Sequence, residues 1–222
     1  IAGFAAFAPK IRTFERFLAG NGACPTPSKL LYSLEFIGDF NAEVWAHMEV
    51  ILDSNQIDQV VGKFAERIAS DITDRQEVAV IGVRSRGEIL SQRLGEKLSQ
   101  VLNKKVPVGT LDITLYRDDL NQPQSLEQPQ VRTTEIGFNI DGKIIILVDD
   151  VLNTGRSVRA AMDALIDLGR PLAVRLAVLV DRGGREFPIQ ADYIGVSSDV
   201  EPDRSVEVRL VESDGKDEVV VK

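Results

Sequence analysis

The chain has 222 residues, of which 44% are hydrophobic, and its mean hydropathy is -0.03. These values indicate a protein with a sizeable core, and no apolar run approaches the roughly 20 residues that cross a bilayer. The formal charge of -8 argues against a surface that coats nucleic acid. A single cysteine, Cys24, excludes an internal disulfide and a site built from several cysteines, so we expect a reducing, cytoplasmic location.

Residues 1–47 differ from the rest of the chain. Phenylalanines and prolines are scattered through them without a sustained period, and several glycines interrupt any long element. The chain begins with Ile, and Met48 stands directly before the first regular pattern. We interpret 1–47 as an extension of uncertain origin and 48–222 as a single domain. The alternative is that 1–47 forms a small packed arm.

Strand and helix patterns alternate from residue 48 onward. The predicted helices, in chain order, are 57–68, 90–101 and 156–168. The predicted strands are 78–83, 106–116, 144–148, 172–180, 191–196, 206–211 and 218–221. Ser54 is the expected N-cap of the first helix, and Leu115 and Met162 are expected to face the core. The alternation predicts an α/β protein with a central parallel sheet flanked by helices.

A polar segment, 117–137, separates the second predicted strand from the third. It contains Pro123 and Pro129 and has no hydrophobic period. Structureless segments of this length inside a compact domain are uncommon and are usually functional, so we expect a lid.

Polar residues follow the first predicted strand, at the sheet edge where open α/β sheets bind ligands. Gly87 permits a tight turn before a helix, and Arg84 and Arg86 supply two guanidinium groups beside Ser85. Guanidinium groups and a helix N-terminus suit a polyanion. The alternative is a surface turn whose arginines are merely solvated.

The segment 144–157 carries the strongest chemical pattern. An apolar run ends in the adjacent carboxylates Asp149 and Asp150, and a short loop with hydroxyls at Thr154 and Ser157 leads into a helix. Amides at a helix N-terminus hold phosphate, and carboxylates accept hydrogen bonds from a vicinal diol. The pattern therefore favours a sugar phosphate over the alternative, an N-capped helix after an acidic turn.

A third charged loop, 181–185, also follows a strand and contains Asp181 and Arg182. It suits a base or a second charged group, but an ordinary charged turn explains it equally well. Other chemistries are excluded more firmly. His47 is the only histidine, and neither the nucleoside-triphosphate loop nor the dinucleotide loop motif occurs.

The residues 148–157, Val-Asp-Asp-Val-Leu-Asn-Thr-Gly-Arg-Ser, resemble the phosphoribosyl-diphosphate (PRPP) signature of type I phosphoribosyltransferases. Segments 110–120, 159–165 and 176–183 resemble the PyrR family, which combines attenuation of pyrimidine operons with uracil phosphoribosyltransferase activity. The resemblance covers most of 48–222. It implies a type I phosphoribosyltransferase fold, with a small hood and a flexible lid loop added to the central sheet.

The resemblance also implies a role for each loop. Asp149 and Asp150 would take the ribose hydroxyls and, with Arg117 on the lid, would be the catalytic residues. The implied 5-phosphate residues are Asn153, Thr154, Gly155, Arg156 and Ser157. The implied pyrophosphate residues are Arg84, Ser85, Arg86 and Gly87. Asp181 and Arg182 would lie near the base. Mg²⁺ would bind through PRPP, with Asp149 and Asp150 as its possible protein ligands.

The implied partners are PRPP, uracil and UMP, with self-association as a dimer or tetramer and no membrane contact. Four positions depart from the family pattern for RNA binding: Gly62, Glu66, Gly184 and Gln190. Each departure removes a donor or a positive charge that a phosphate backbone would contact, and Glu66 adds repulsion. We therefore favour the enzyme over an RNA-binding regulator that senses UMP or UTP. A type I transferase for another base, such as a purine, stays open.

Overall fold

The computed structural model describes residues 48–73, 76–118, 133–201 and 203–222. The predictions about 1–47, and those about 119–132 within the expected lid, lie outside the described residues. Met48–Lys222 forms a compact unit. Among the described residues, no helix is both long and apolar enough to cross a membrane.

A parallel sheet forms the centre of the unit. Its five described strands have the order β3-β2-β4-β5-β6, and every pairing is parallel. The strands are β2 Val78–Val83, β3 Val108–Leu111, β4 Ile144–Leu152, β5 Ala173–Asp181 and β6 Tyr193–Ser197. Strand β4 lies in the middle and its first six residues are buried, as expected for a strand covered on both faces. The predicted parallel sheet is confirmed.

Helices cover both faces of this sheet. They are α1 Ser54–Asp71, α2 Arg86–Val101 and α3 Arg156–Leu168. Ile144, Ile146 and Val148 of β4 pack in one cluster with α1 and α2, whereas Ile145 and Leu147 pack in the other cluster with α3. The period of two along the strand therefore assigns its residues to two separate cores.

The N-cap of the first helix lies one residue earlier than predicted. Asp53 is the N-cap, because its carboxylate accepts a hydrogen bond from the Gln56 N–H at 2.9 Å. The Gln56 side chain accepts from the Asp53 N–H at 2.8 Å, which completes a capping box. The prediction of Ser54 as the cap was wrong, because Ser54 is already the first helical residue.

Two predictions of buried side chains were also wrong. The strand expected over 106–116 ends at Leu111, and a 3-10 helix follows over Thr114–Tyr116, which turns Leu115 outward to 71% exposure. Met162 is 41% exposed on the outer side of α3. Both residues match the local apolar period, but no second layer covers them within the described residues.

A second, antiparallel sheet has the order β1-β8-β7. Its strands are β1 Glu49–Asp53, β7 Val206–Arg209 and β8 Glu218–Val221, and the short helix α4 spans Val211–Asp214. This sheet is the small hood of the predicted fold class. The guanidinium of Arg93 on α2 is within 2.6 Å of Glu212 and 2.8 Å of Asp217, so α2 is joined to the hood by ion pairs.

Candidate active site

A pocket of about 330 Å³ lies at the carboxyl edge of the parallel sheet. The ends of three neighbouring strands, β3, β2 and β4, surround it. Its polar lining residues are Arg84, Ser85, Arg86, Asp112, Thr114, Arg117, Asp149, Asp150 and Ser157. Two of the three loops singled out in the sequence therefore meet at one pocket, at the edge where parallel sheets place ligands.

A glycine sets the distance between these two loops. A Cβ built on Gly87, in the first turn of α2, would stand 2.6 Å from the Val148 carbonyl oxygen and 3.2 Å from the Asp149 Cα. No side chain fits there, so the helix N-terminus lies directly against the backbone of the aspartate pair. Glycine at this position permits the close approach.

The carboxylate of Asp149 is buried, with 7% exposure. Burial raises the pKa of Asp149 well above its ordinary value of 3.8, and the charge of Asp150 raises the pKa further. One oxygen accepts the Asp150 N–H at 2.9 Å, which partly offsets these effects. Asp150 is half-buried, and its carboxylate accepts the Val151 N–H at 2.8 Å. Strand β4 was predicted to end at residue 148, before the aspartate pair, but it includes both aspartates and ends at Leu152.

The predicted phosphate loop is a tight turn before α3. Gly155 is the N-cap with φ +90, a left-handed conformation that favours glycine. The Thr154 carbonyl accepts hydrogen bonds from the N–H groups of Glu186 and Phe187, each at 3.0 Å. Ser157 lines the pocket. Hydrogen bonds from 186–187 thus fix the phosphate loop, and the N-terminus of α3 lies at the pocket.

The arginine expected to bind pyrophosphate from the first loop is engaged elsewhere. The guanidinium of Arg84 lies 3.2 Å from Glu88 and 2.9 Å from Glu135, and its Nε donates to the Thr133 carbonyl at 3.1 Å. The peptide bond between Arg84 and Ser85 is cis. Arg84 lines the pocket while its charge is balanced by two carboxylates, so the structure favours a structural use of this side chain.

Arg86 has a similar arrangement. Its guanidinium pairs with Asp214 on α4 at 3.0 Å, and it also lines the pocket. A hydrogen bond from Ser213, and then the Leu210 N–H, keep the pKa of Asp214 below its ordinary value, with Arg86 as a further contributor. This pair links the start of α2 to the hood.

The third loop does not line the pocket. Arg185 pairs with the Asp181 carboxylate at 2.6 Å and donates to the carbonyls of Asn153 at 2.7 Å, Gly183 at 3.1 Å and Leu152 at 3.3 Å. Arg185 therefore joins the third loop to the start of the phosphate loop. Sequence reasoning assigned it no role, because its carbonyl acceptors carry no side-chain signal.

Neither of the two residues expected near the base lines the pocket. The Asp181 carboxylate accepts the Gly183 N–H at 3.0 Å, in addition to its ion pair with Arg185. Arg182 donates to the Arg204 carbonyl at 3.2 Å. Gly184 follows with φ +70, and a Cβ there would stand 2.9 Å from the Asn153 side-chain oxygen.

Two pocket residues were missed in the sequence, Asp112 and Thr114. The Asp112 carboxylate accepts the Thr114 N–H at 2.9 Å and the Thr114 hydroxyl at 2.6 Å, which turns the chain after β3. An aspartate two residues before a threonine is a pattern that indicates a turn. It was overlooked because the strand was predicted to continue to residue 116.

A family model for the phosphoribosyl transferase domain matches residues 47–213. A protein named bifunctional protein PyrR from Pelotomaculum thermopropionicum is 47% identical over 171 residues, which cover 77% of this chain and 93% of that protein. The protein of the same name from Streptomyces coelicolor is 46% identical over 173 residues, 77% of this chain and 88% of its own.

The chain belongs to the PyrR family of type I phosphoribosyltransferases. This confirms the family predicted from 148–157 and the three further segments. A third relative of the same name, from Bacillus cereus, is 46% identical over 176 residues, or 78% of this chain and 96% of that protein.

Solved structures support the fold. The hypoxanthine phosphoribosyltransferase of Trypanosoma cruzi matches with a TM-score of 0.58 at 19% identity, covering 78% of this chain and 95% of that one. A hypoxanthine-guanine phosphoribosyltransferase from Bacillus anthracis matches with a TM-score of 0.58 at 18% identity, covering 78% and 96%. At these identities the likeness concerns the fold alone, and the predicted α/β fold class is confirmed.

Proposed function

We propose that this protein is a uracil phosphoribosyltransferase that forms UMP and diphosphate from uracil and PRPP with Mg²⁺. One observation carries the proposal above all others. The aspartate pair, the start of α2, the start of α3 and Arg117 surround a single pocket. Family membership supports phosphoribosyl transfer, and the choice of uracil as acceptor rests on the resemblance to the PyrR family.

The reaction joins a uracil ring nitrogen to C1 of the ribose as the bond from C1 to the diphosphate oxygen breaks. The diphosphate leaves with the electron pair of the broken bond, and the proton of the uracil nitrogen passes to water. Positive charge then develops on the ribose, so the protein has mainly to position the reactants and balance charge. Asp149 and Asp150 would hold the ribose hydroxyls and stabilise this charge, which requires no catalytic histidine.

The phosphates of PRPP would bind at the two helix N-termini. The amides around Gly155 and the Ser157 hydroxyl suit the 5-phosphate, and the amides around Gly87 suit the diphosphate. These groups are the stronger candidates for phosphate contact, because Arg84 and Arg86 already pair with carboxylates.

The site suits Mg²⁺ supplied together with PRPP. The described residues contain no group of three or more His, Cys, Asp or Glu side chains that could hold a metal ion. Mg²⁺ usually binds through one or two carboxylates together with substrate phosphates, which fits Asp149 and Asp150. When bound, it would neutralise charge on the departing diphosphate.

The proposal predicts that Asp150→Asn lowers kcat for UMP formation by on the order of a hundredfold, because a charge beside the ribose is lost. The half-buried position of Asp150 predicts little change in the free energy of unfolding. Steady-state assays with uracil, PRPP and Mg²⁺ measure the first effect, and urea titration measures the second. No UMP from the unaltered protein would refute the proposal, and nucleotide formed only from hypoxanthine or guanine would identify a purine transferase.

A role in RNA attenuation is the second candidate, since the relatives are named bifunctional. Glu66, Gly184 and Gln190 are exposed, so their departures from the RNA-binding pattern lie on the surface. We therefore expect no tight, UMP-dependent binding to a pyrimidine-operon leader RNA. A titration of that RNA with and without UMP measures this, and tight binding that needs UMP would reverse the preference. Self-association as a dimer or tetramer is also proposed, and sedimentation tests it.

A further inference from the structure

Arg156 lies in the phosphate loop, but its side chain is directed to other partners. Its Nε donates to the Glu186 carboxylate at 2.8 Å, and its guanidinium also pairs with Asp118. The same guanidinium lies 5.2 Å from the centre of the Phe187 ring, a cation–π distance. Arg156 is not among the residues that line the pocket, whereas the adjacent Ser157 is.

The partner Asp118 is the neighbour of Arg117, which lines the pocket. This part of the chain is attached to α3 at two more points. Arg159 donates to the Tyr116 carbonyl at 2.8 Å, and the Tyr116 hydroxyl donates to Asp167 at 2.7 Å. Three side chains of α3 thus hold the short segment 114–118, and Arg156 holds its last residue, Asp118, which adjoins the pocket residue Arg117.

We propose that Arg156 is a positioning residue that fixes Arg117 at the pocket, and that it does not itself bind the 5-phosphate. To bind phosphate, the guanidinium would have to leave two carboxylates and an aromatic ring at once. In its present place it connects the turn that starts α3 with the segment that carries Arg117. The inference rests on the proposed function, because it assigns this connection to PRPP binding.

A double-mutant cycle separates positioning from direct binding. If Arg156 positions Arg117, Asp118→Asn and Arg156→Gln each weaken PRPP binding by about two- to tenfold, and the double variant is no weaker than the weaker single variant. If Arg156 binds phosphate directly, Asp118→Asn frees the guanidinium and leaves PRPP affinity unchanged or improved. Calorimetric titration with PRPP and Mg²⁺ measures these affinities, and the second pattern would overturn the inference.

Arg175→Gln is a matched control. Arg175 is 50% exposed, compared with 47% for Arg156, and it pairs with Asp192 away from the pocket lining. Loss of an exposed guanidinium by itself should therefore leave PRPP affinity as it is. An equal loss of affinity in Arg175→Gln would show a general charge effect and would contradict a specific role for Arg156.

Hydrogen exchange tests the positioning without any ligand. The Tyr116 N–H donates to the Ile113 carbonyl at 2.9 Å, so its exchange reports on the 3-10 helix. We expect faster exchange across 114–118 in Asp118→Asn and Arg156→Gln, and no change in Arg175→Gln. Unchanged exchange in the first two variants would overturn the positioning role. Failure of the unaltered protein to bind PRPP would instead refute the proposed function, and exchange would still decide whether Arg156 holds this segment.

Discussion

Asp149→Asn is expected to abolish phosphoribosyl transfer and to raise the free energy of unfolding of the ligand-free protein. Asparagine keeps the oxygen that accepts the Asp150 N–H, but it removes a buried charge that lies beside a second carboxylate. The gain is expected because asparagine carries no charge, so neither the burial nor the repulsion by Asp150 that raises the pKa of Asp149 acts on it. The same change removes a hydrogen-bond acceptor and charge from the proposed ribose site.

The difference in the free energy of unfolding between Asp149→Asn and the unaltered protein is also expected to depend on pH. Burial, followed by the Asp150 charge, raises the pKa of Asp149 in the folded chain above 3.8. The folded chain then binds more protons than the unfolded chain, so the free energy of unfolding falls as pH rises from about 3.8 through the folded pKa. Asp149→Asn lacks this contribution, and its advantage over the unaltered protein should therefore grow with pH over that window.

Urea titrations in a pH series that starts near pH 4 measure both curves. Asp150→Asn is the control, because it makes the same chemical change at a half-buried position and should alter stability less. If Asp149→Asn were less stable than the unaltered protein at neutral pH, the carboxylate would have to be compensated by donors within the folded chain. The aspartate pair would then be a structural feature instead of a destabilising site kept for its ligand.

The sequence predicted those parts of the fold that depend on local period and on chain order. Strand β4 and helix α3 were identified because buried apolar runs and amphipathic spacing are local signals. The position of the pocket followed from the rule that parallel strands share a carboxyl edge. For these reasons the loops at Gly87 and at Asp149 were correctly expected at the same edge of the sheet.

The sequence did not reveal contacts between residues distant in the chain. Strand β1 pairs with β8, so a short segment beside Met48 becomes a strand only through residues at the other end of the chain. Arg156 looked like a phosphate ligand because of its neighbours in the loop, yet its partners Asp118 and Glu186 come from two other segments. Charged side chains offer many possible partners, and no local period selects among them.

Gly87→Ala, which adds a single methyl group, is expected to lower both the free energy of unfolding and the rate of phosphoribosyl transfer. The new Cβ would stand 2.6 Å from the Val148 carbonyl oxygen, and this neighbour is backbone at the centre of the sheet. Helix α2 would have to move away from β4, at a cost of roughly 1–3 kcal/mol in the free energy of unfolding. The displacement should lower the transfer rate by on the order of tenfold to a hundredfold, because it shifts the proposed diphosphate site relative to the aspartate pair.

Gly62→Ala provides a matched control on α1. A Cβ built on Gly62 has no neighbour within 4 Å, and replacing glycine by alanine inside a helix usually stabilises it by about 1 kcal/mol. The two variants add the same group in different surroundings. The predicted effects on the free energy of unfolding therefore have opposite signs, and only Gly87→Ala should lose activity. Thermal unfolding and steady-state assays with varied PRPP measure both. Full activity in Gly87→Ala would mean that the start of α2 and the aspartate pair need not keep their present spacing, and diphosphate contacts would then have to come from mobile side chains.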